Sequence, residues 1–166
     1  MATDLHQLNA LTWFGPTFLE VAGRLLLATA LGMVLGLDRE AHNKPAGVRS
    51  HMLVSLASAS LTLMTFAMVD IANGFGDAVR TDPLRIIQAV VAGIAFLGAG
   101  AIIQGRGRVT GITTGASLWV AGAIGIASGL GRYALAGLTT VLAFVILYFL
   151  GRLETRLKKD GSKDRQ

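Results

Sequence analysis

The chain contains no cysteine, which excludes a disulfide, a thiolate metal centre and a cysteine nucleophile. Charge is scarce, at 15% of residues. The first 17 residues hold neither Lys nor Arg, so no secretory signal peptide is expected there. Enzyme signatures are missing too. There is no HExxH and no GxSxG, and the three histidines (His6, His42, His51) are scattered along the chain. The stretch GRGRVTGITTG is glycine-rich like a phosphate loop. It lacks the closing Gly-Lys-Ser/Thr and is not expected to follow a strand, so that reading is rejected. No enzyme activity, cofactor or metal is expected from these residues.

What the chain does have is apolar length. It is 52% hydrophobic with a mean hydropathy of +0.58, far more than a soluble domain of 166 residues requires. The most informative stretch runs from Thr81 to Trp119. Asp82 and Pro83 predict a helix start, as N-cap and first helical residue. After Arg85 no charge appears until Arg106, and Val109 to Leu130 is again uncharged. Each run is long enough to cross a bilayer at about 1.5 Å per residue. A short basic turn, Gln104 to Arg108, joins them into a hairpin.

Taken in order, the pattern predicts an all-α membrane protein, a compact bundle of five transmembrane helices. The spans fall at about 18–37, 51–72, 84–103, 112–128 and 133–150, together forming one transmembrane domain over 18–150. Residues 1–17 read as an interfacial segment outside the membrane. Residues 151–166 read as a basic cytoplasmic tail continuing from a frayed helix end. Small residues recur at helical spacing: Ala28, Gly32 and Gly36 in the first span, and Gly93, Gly98 and Gly100 in the third. Such positions let helix backbones approach closely. Along span two, His51, Ser55, Ser58, Thr62 and Thr65 fall three and four apart and form one polar stripe, read as packing glue or as a polar path.

Charge distribution orients the bundle. Of the fifteen Lys and Arg, eleven flank one side, three (Arg80, Arg85, Arg132) flank the other, and Arg24 lies within span one. The positive-inside rule then places the N-terminus outside and the C-terminus in the cytoplasm. The net charge of +5 sits between and after the apolar runs, so nucleic acid is not an expected partner.

The polar residues sort into two candidate clusters. On the outer side are Glu20, Arg24, Asp82, Arg85 and Gln88; on the cytoplasmic side are Asp38, Arg39, Glu40 and Arg49. Charges in or beside membrane spans are costly unless paired, and they mark function or structural ion pairs. Arg24 has two readings, a partner of Glu20 one turn away or a member of a transport site. Asp82 reads as a cap, while Arg85 and Gln88 on one face raise a functional alternative. Asp38 and Glu40 sit at a helix C-terminus, where carboxylates oppose the macrodipole, so Arg49 or Arg106 is expected to offset them. A hard-cation site of Asp38, Glu40 and His42 competes with the simpler reading of solvated charges.

Four collinear stretches resemble one known family. They are Arg24–Glu40 (RLLLATALGMVLGLDRE), Ala46–Ser58 (AGVRSHMLVSLAS), Asp82–Ile103 (DPLRIIQAVVAGIAFLGAGAII) and Val109–Tyr133 (VTGITTGASLWVAGAIGIASGLGRY). Together they resemble the MgtC/SapB family of bacterial inner-membrane proteins. Where that family usually reads Glu-Arg-Glu, this chain has Asp38-Arg39-Glu40, which keeps the charges. Ala95, Ile112 and Gly115 also depart from the usual pattern. The chain is similar to short, SapB-like members without a C-terminal ACT-like domain. The resemblance implies a multi-pass plasma-membrane protein linked to magnesium limitation, acid stress and virulence. It also implies a non-enzymatic role modulating another membrane complex, with restraint of the F-type ATP synthase as one proposal. The alternatives are a small proton or cation transporter and a structural scaffold. Expected partners are the lipid bilayer, a membrane protein and a second copy of the chain, in a two-fold dimer.

Overall fold

In the computed structural model, residues 17–73, 82–105 and 108–160 are described. Residues 1–16, most of the expected outer segment, lie outside the described residues, as do Arg106 and the last six of the tail.

The first helix, α1 (Phe18–Ala41), begins at a capping box. Thr17 Oγ1 accepts the Glu20 N–H at 3.4 Å, and the Glu20 carboxylate accepts the Thr17 N–H at 3.0 Å. The helix ends where Asn43 turns left-handed (φ 50°), letting the Lys44 N–H reach the Arg39 carbonyl at 3.0 Å. Asp38, Arg39 and Glu40, expected at the C-terminal end of the first span, form the last turn of α1 with Ala41. Glu40 then accepts the Val48 N–H at 2.8 Å, capping α2 (Val48–Asn73). Asp82 and Pro83 start α3 (Pro83–Gly100) as their sequence predicts, Asp82 accepting the Leu84 N–H at 3.0 Å.

The sequence predicts that span three reaches Ile103 and turns directly into span four. Instead α3 stops at Gly100, and Ile103–Gly105 (β1) pairs antiparallel with Arg108–Thr110 (β2) in a two-stranded ribbon. Gly111 (φ +88°) connects the ribbon to α4 (Ile112–Gly129), and a Cβ there would collide with the Ala101 carbonyl. The glycine-rich stretch thus begins on the last residue of one three-residue strand and contains the other, contrary to expectation. Gly131 (φ +71°) ends α4, with the Arg132 N–H bonded to the Ala127 carbonyl at 2.9 Å. The last helix, α5, runs Tyr133–Asp160 and carries on through much of the expected tail.

α4 is the central element, packed against all four other helices. Gly36 lies against Val48 and Gly32 against His51 and Ser55, so α1 and α2 are antiparallel. His51 meets Ser117, and Gly129 meets Ala59 and Thr62, so α2 and α4 run the same way. α3 opposes α4 through Gly98 on Gly115 and Ile94 on Gly122.

The bundle buries polar groups beside a small apolar core of Leu35, Ile124, Ala127 and Ala136 and turns its large apolar side chains outward. Phe96, Leu19 and Leu26 are 79%, 75% and 70% exposed, whereas His51, Ser55 and Ser128 are fully buried. In water that arrangement would lose most of the stabilisation from apolar burial, at roughly 25 cal/mol per Å². In lipid the cost disappears, because the surrounding solvent is itself hydrocarbon. α1, Val48–Ala72 of α2 and α4 are each long and apolar enough to cross a membrane. Ile87–Gly100 and Tyr133–Phe149 are shorter apolar stretches of the same kind.

Candidate functional site

Two arginines on α1 hold the two ends of α4. Arg24 is partly buried, and its Nη1 donates to the Gly129 carbonyl at 2.9 Å. The last carbonyls of a helix have no partner within it, and a cation there also meets the negative end of the macrodipole. Arg24 supplies both interactions at once. It does not pair with Glu20, whose carboxylate is occupied in the capping box of its own helix. Glu20, Arg24 and Asp70 border a groove of about 660 Å³ between α1 and α2, with Leu25, Met64 and Ala67 as apolar lining.

At the opposite end Arg39 is only 5% exposed. Its Nη2 donates to Thr114 Oγ1 at 3.3 Å in the first turn of α4. Its Nε is buried without a hydrogen-bond partner. Asp38, also buried, faces His42, whose Nδ1 lies 3.5 Å from Asp38 Oδ1 and 2.7 Å from the Asp38 carbonyl oxygen. Arg49 is exposed, and among the described residues no ion pair joins it to Asp38 or Glu40. The offset expected from it comes instead from connectivity, because Glu40 folds onto the positive N-terminus of α2.

Between the arginines runs a chain of hydroxyl and imidazole groups. His51 joins the Gly47 carbonyl (Nδ1, 2.9 Å) to Ser117 Oγ (Nε2, 3.0 Å), and Ser117 Oγ donates to the Thr114 carbonyl at 2.9 Å. Ser55 donates to the Ala28 carbonyl at 2.7 Å, tying α2 to α1. Ser58, Thr62 and Thr65 each bond a carbonyl one turn back on their own helix. The polar stripe of α2 is therefore internal glue, with its hydroxyls satisfied by protein.

The outer cluster does not assemble as expected. Asp82, Arg85 and Gln88 are exposed on α3, and among the described residues no hydrogen bond or ion pair links them to Arg24. The reason lies in the face that α3 buries: Val90, Ile94 and Gly98, four apart, point inward, and Arg85 and Gln88 fall off that stripe. Of the candidate cation site, Asp38 and His42 stay together while Glu40 turns away to cap α2, and no group of three His, Cys, Asp or Glu converges among the described residues. Of the glycines singled out, Gly32, Gly36 and Gly98 sit at close approaches, whereas a methyl group on Gly93 or Gly100 would have nothing within 4 Å. Gly115, Gly122, Gly125 and Gly129, which are not among them, carry close approaches to α3 and α2; their signal is their spacing of seven, three and four residues, which keeps them near one side of α4.

An apolar shell around an interior that buries hydrogen-bonded polar groups, with helices of bilayer length, defines a helical membrane protein. The MgtC family profile matches residues 25–156, and the chain belongs to that family. It is 38% identical to Protein SrpB of Synechococcus elongatus, over 86% of this chain and 78% of the relative. It is 35% identical to the Escherichia coli K12 protein named "Putative magnesium transporter YhiD", over 81% of this chain and 62% of that one. It is 34% identical to Protein MgtC of Salmonella typhimurium LT2, over 74% of this chain and 50% of that one. The chain thus spans between half and about two thirds of the length of the last two. No solved structure matches it.

Proposed function

We propose that the protein is a non-enzymatic, multi-pass inner-membrane protein of the MgtC type. In this reading it adjusts the activity of another membrane complex, with the F-type ATP synthase one candidate, during magnesium limitation or acid stress. The N-terminus lies outside and the end of the bundle holding Arg39 lies in the cytoplasm, in keeping with the eleven-to-three excess of basic residues on that side. The observation that carries the reading is the internal consumption of the α2 hydroxyls. The hydroxyls of the α2 stripe bond protein carbonyls, both α1 arginines hold α4, and glycine contacts bring α1 and α4 each close to α2. A conduit needs free polar groups facing a continuous opening, which is a different design. A binder needs a stable body and an apolar outer face, which this bundle has.

The printed name of the E. coli relative favours a transport reading instead. Purified protein in liposomes separates the two. The expected result is no Mg²⁺ or proton flux above protein-free vesicles, together with a specific membrane-protein adduct when a photocrosslinker is placed at exposed Leu26 or Phe96 in cells. Flux that is lost on Arg24→Gln, with no adduct, would overturn the regulatory reading.

A further inference from the structure

The two ends of α4 are treated unequally. At its C-terminus the positive charge of Arg24 meets the negative end of the helix, a favourable match. At its N-terminus the positive charge of Arg39 meets the positive end, an unfavourable one. Lys44 adds a second cation at the same place. The N-cap is Gly111, which has no side chain to accept the first N–H groups of the helix. A left-handed residue followed by helical ones is a backbone sequence that can turn successive N–H groups toward one side, and Gly111 here is left-handed. Arg39 is almost wholly shielded from solvent, yet its guanidinium makes one hydrogen bond; its Nε has no partner, which is equally true of Arg24 Nε.

These groups surround a cavity of about 250 Å³ bordered by Arg39, Lys44, Gly111, Thr113 and Thr114. At roughly 30 Å³ per water, that holds a tetrahedral oxyanion with some solvent beside it. No carboxylate lines it. Asp38 faces His42, and Glu40 caps α2. The site therefore gathers cations and donors; Asp38 offsets some of the Arg39 charge through space, and no ion pair joins the two among the described residues.

We propose that this cavity binds a phosphate-type oxyanion, held by the N-terminal N–H groups of α4 and by Arg39, with Lys44 at the rim. The phosphate comes either from free phosphate or from an anionic lipid headgroup. The position fits both sources, since α4 is long and apolar enough to cross a membrane, and the end of such a helix falls near the membrane surface. The inference does not rest on the regulatory reading: partner capture and anion binding are read in separate assays, and either can fail alone.

The test uses the full chain in dodecyl maltoside, which carries no phosphate. One arm titrates inorganic phosphate against chloride at equal ionic strength and reads the thermal midpoint. The other adds phosphatidylglycerol and counts retained lipids by native mass spectrometry. Binding in either arm is expected, weakened by ~10-fold or more in Arg39→Lys, where a planar charged donor set is lost. Lys44→Gln is expected to weaken it by about 3-fold, as for an exposed charge, and covers the case in which Arg39→Lys does not fold. Arg132→Gln, at the far end of the bundle, leaves binding unchanged. A response to phosphate alone assigns a soluble ligand, and a response to lipid alone assigns a headgroup. No response in either arm, or binding equal in Lys44→Gln and the parent, overturns the proposal.

Discussion

Replacing Gly32 by Ala tests whether the interior is held by backbone contact. A Cβ at Gly32 would lie 2.7 Å from the His51 carbonyl oxygen and 2.9 Å from Ser55 Cβ. Ordinary contact begins near 3.4 Å, so α1 and α2 must part by about 0.7 Å at that point. A gap of about 0.5–1 Å forfeits a quarter to a half of the dispersion attraction of every atom pair it opens. Overpacking of this kind costs ~1–3 kcal/mol. Gly93→Ala is the matched control, because its Cβ would have nothing within 4 Å. Both variants gain the same ~1 kcal/mol of helix propensity, so the difference between them isolates packing. At about 2–4 °C per kcal/mol, Gly32→Ala should melt roughly 2–12 °C below Gly93→Ala, followed by tryptophan fluorescence in micelles. If Gly32→Ala melts at or above Gly93→Ala, the close approach does not stabilise the bundle and the reasoning fails.

Three further outcomes follow from particular contacts. Arg24→Gln removes the donor to the Gly129 carbonyl and should cost about 1–3 kcal/mol, the range for a charge-assisted hydrogen bond, read from thermal midpoints at low and high salt. His51→Ala leaves Ser117 without its imidazole partner and opens a void at a fully buried position; a loss of ~2–4 kcal/mol is expected, and a change below the error of the melt would refute the bridging role. Phe96→Asp places a charge on a surface 79% exposed, which a soluble protein would tolerate. Facing lipid it should reduce membrane-inserted protein by an amount near ~3 kcal/mol, measured by fractionation and carbonate extraction.

The helices are legible in the sequence because lipid makes simple demands: long uncharged runs, a cap at Asp82 and a proline beside it. The capping box of α1 is equally visible as Thr17-x-x-Glu20, a stronger start signal than the Pro16 before it. The ribbon at Ile103–Thr110 is hidden, since two three-residue strands leave almost no periodic signal. Side-chain destinations are hidden for a different reason. Glu20 and Arg24 lie one turn apart, which permits pairing, but local spacing says nothing of a carbonyl 105 residues away. The same holds for Glu40, whose N–H partner lies across a turn that sequence alone does not shape. Asp82, Arg85 and Gln88 group with Arg24 by depth in the membrane. Depth fixes height along the bundle normal and leaves azimuth free, and the packing of Val90, Ile94 and Gly98 sets the azimuth.

The register between α1 and α4 accounts for why both arginines are needed. Arg24 and Arg39 are fifteen residues apart, and so are their targets, Gly129 and Thr114. In antiparallel helices of equal rise, both bonds therefore form at one and the same register, about 22 Å apart along the axis. A slip of one turn, about 5.4 Å, breaks both together. Glycine contacts set this register only indirectly, because Gly32 and Gly36 of α1 and Gly125 and Gly129 of α4 pack against α2 rather than against each other. Two charged donors at fixed separation set it directly, as polar residues in an apolar interface do elsewhere. The arrangement carries an electrostatic asymmetry as a consequence. A single register puts one arginine at the favourable end of α4 and the other at the unfavourable end, so Arg39 is set by geometry where the field of the helix repels it. That is why the cavity beside it, rather than the groove beside Arg24, is the place where an anion is wanted.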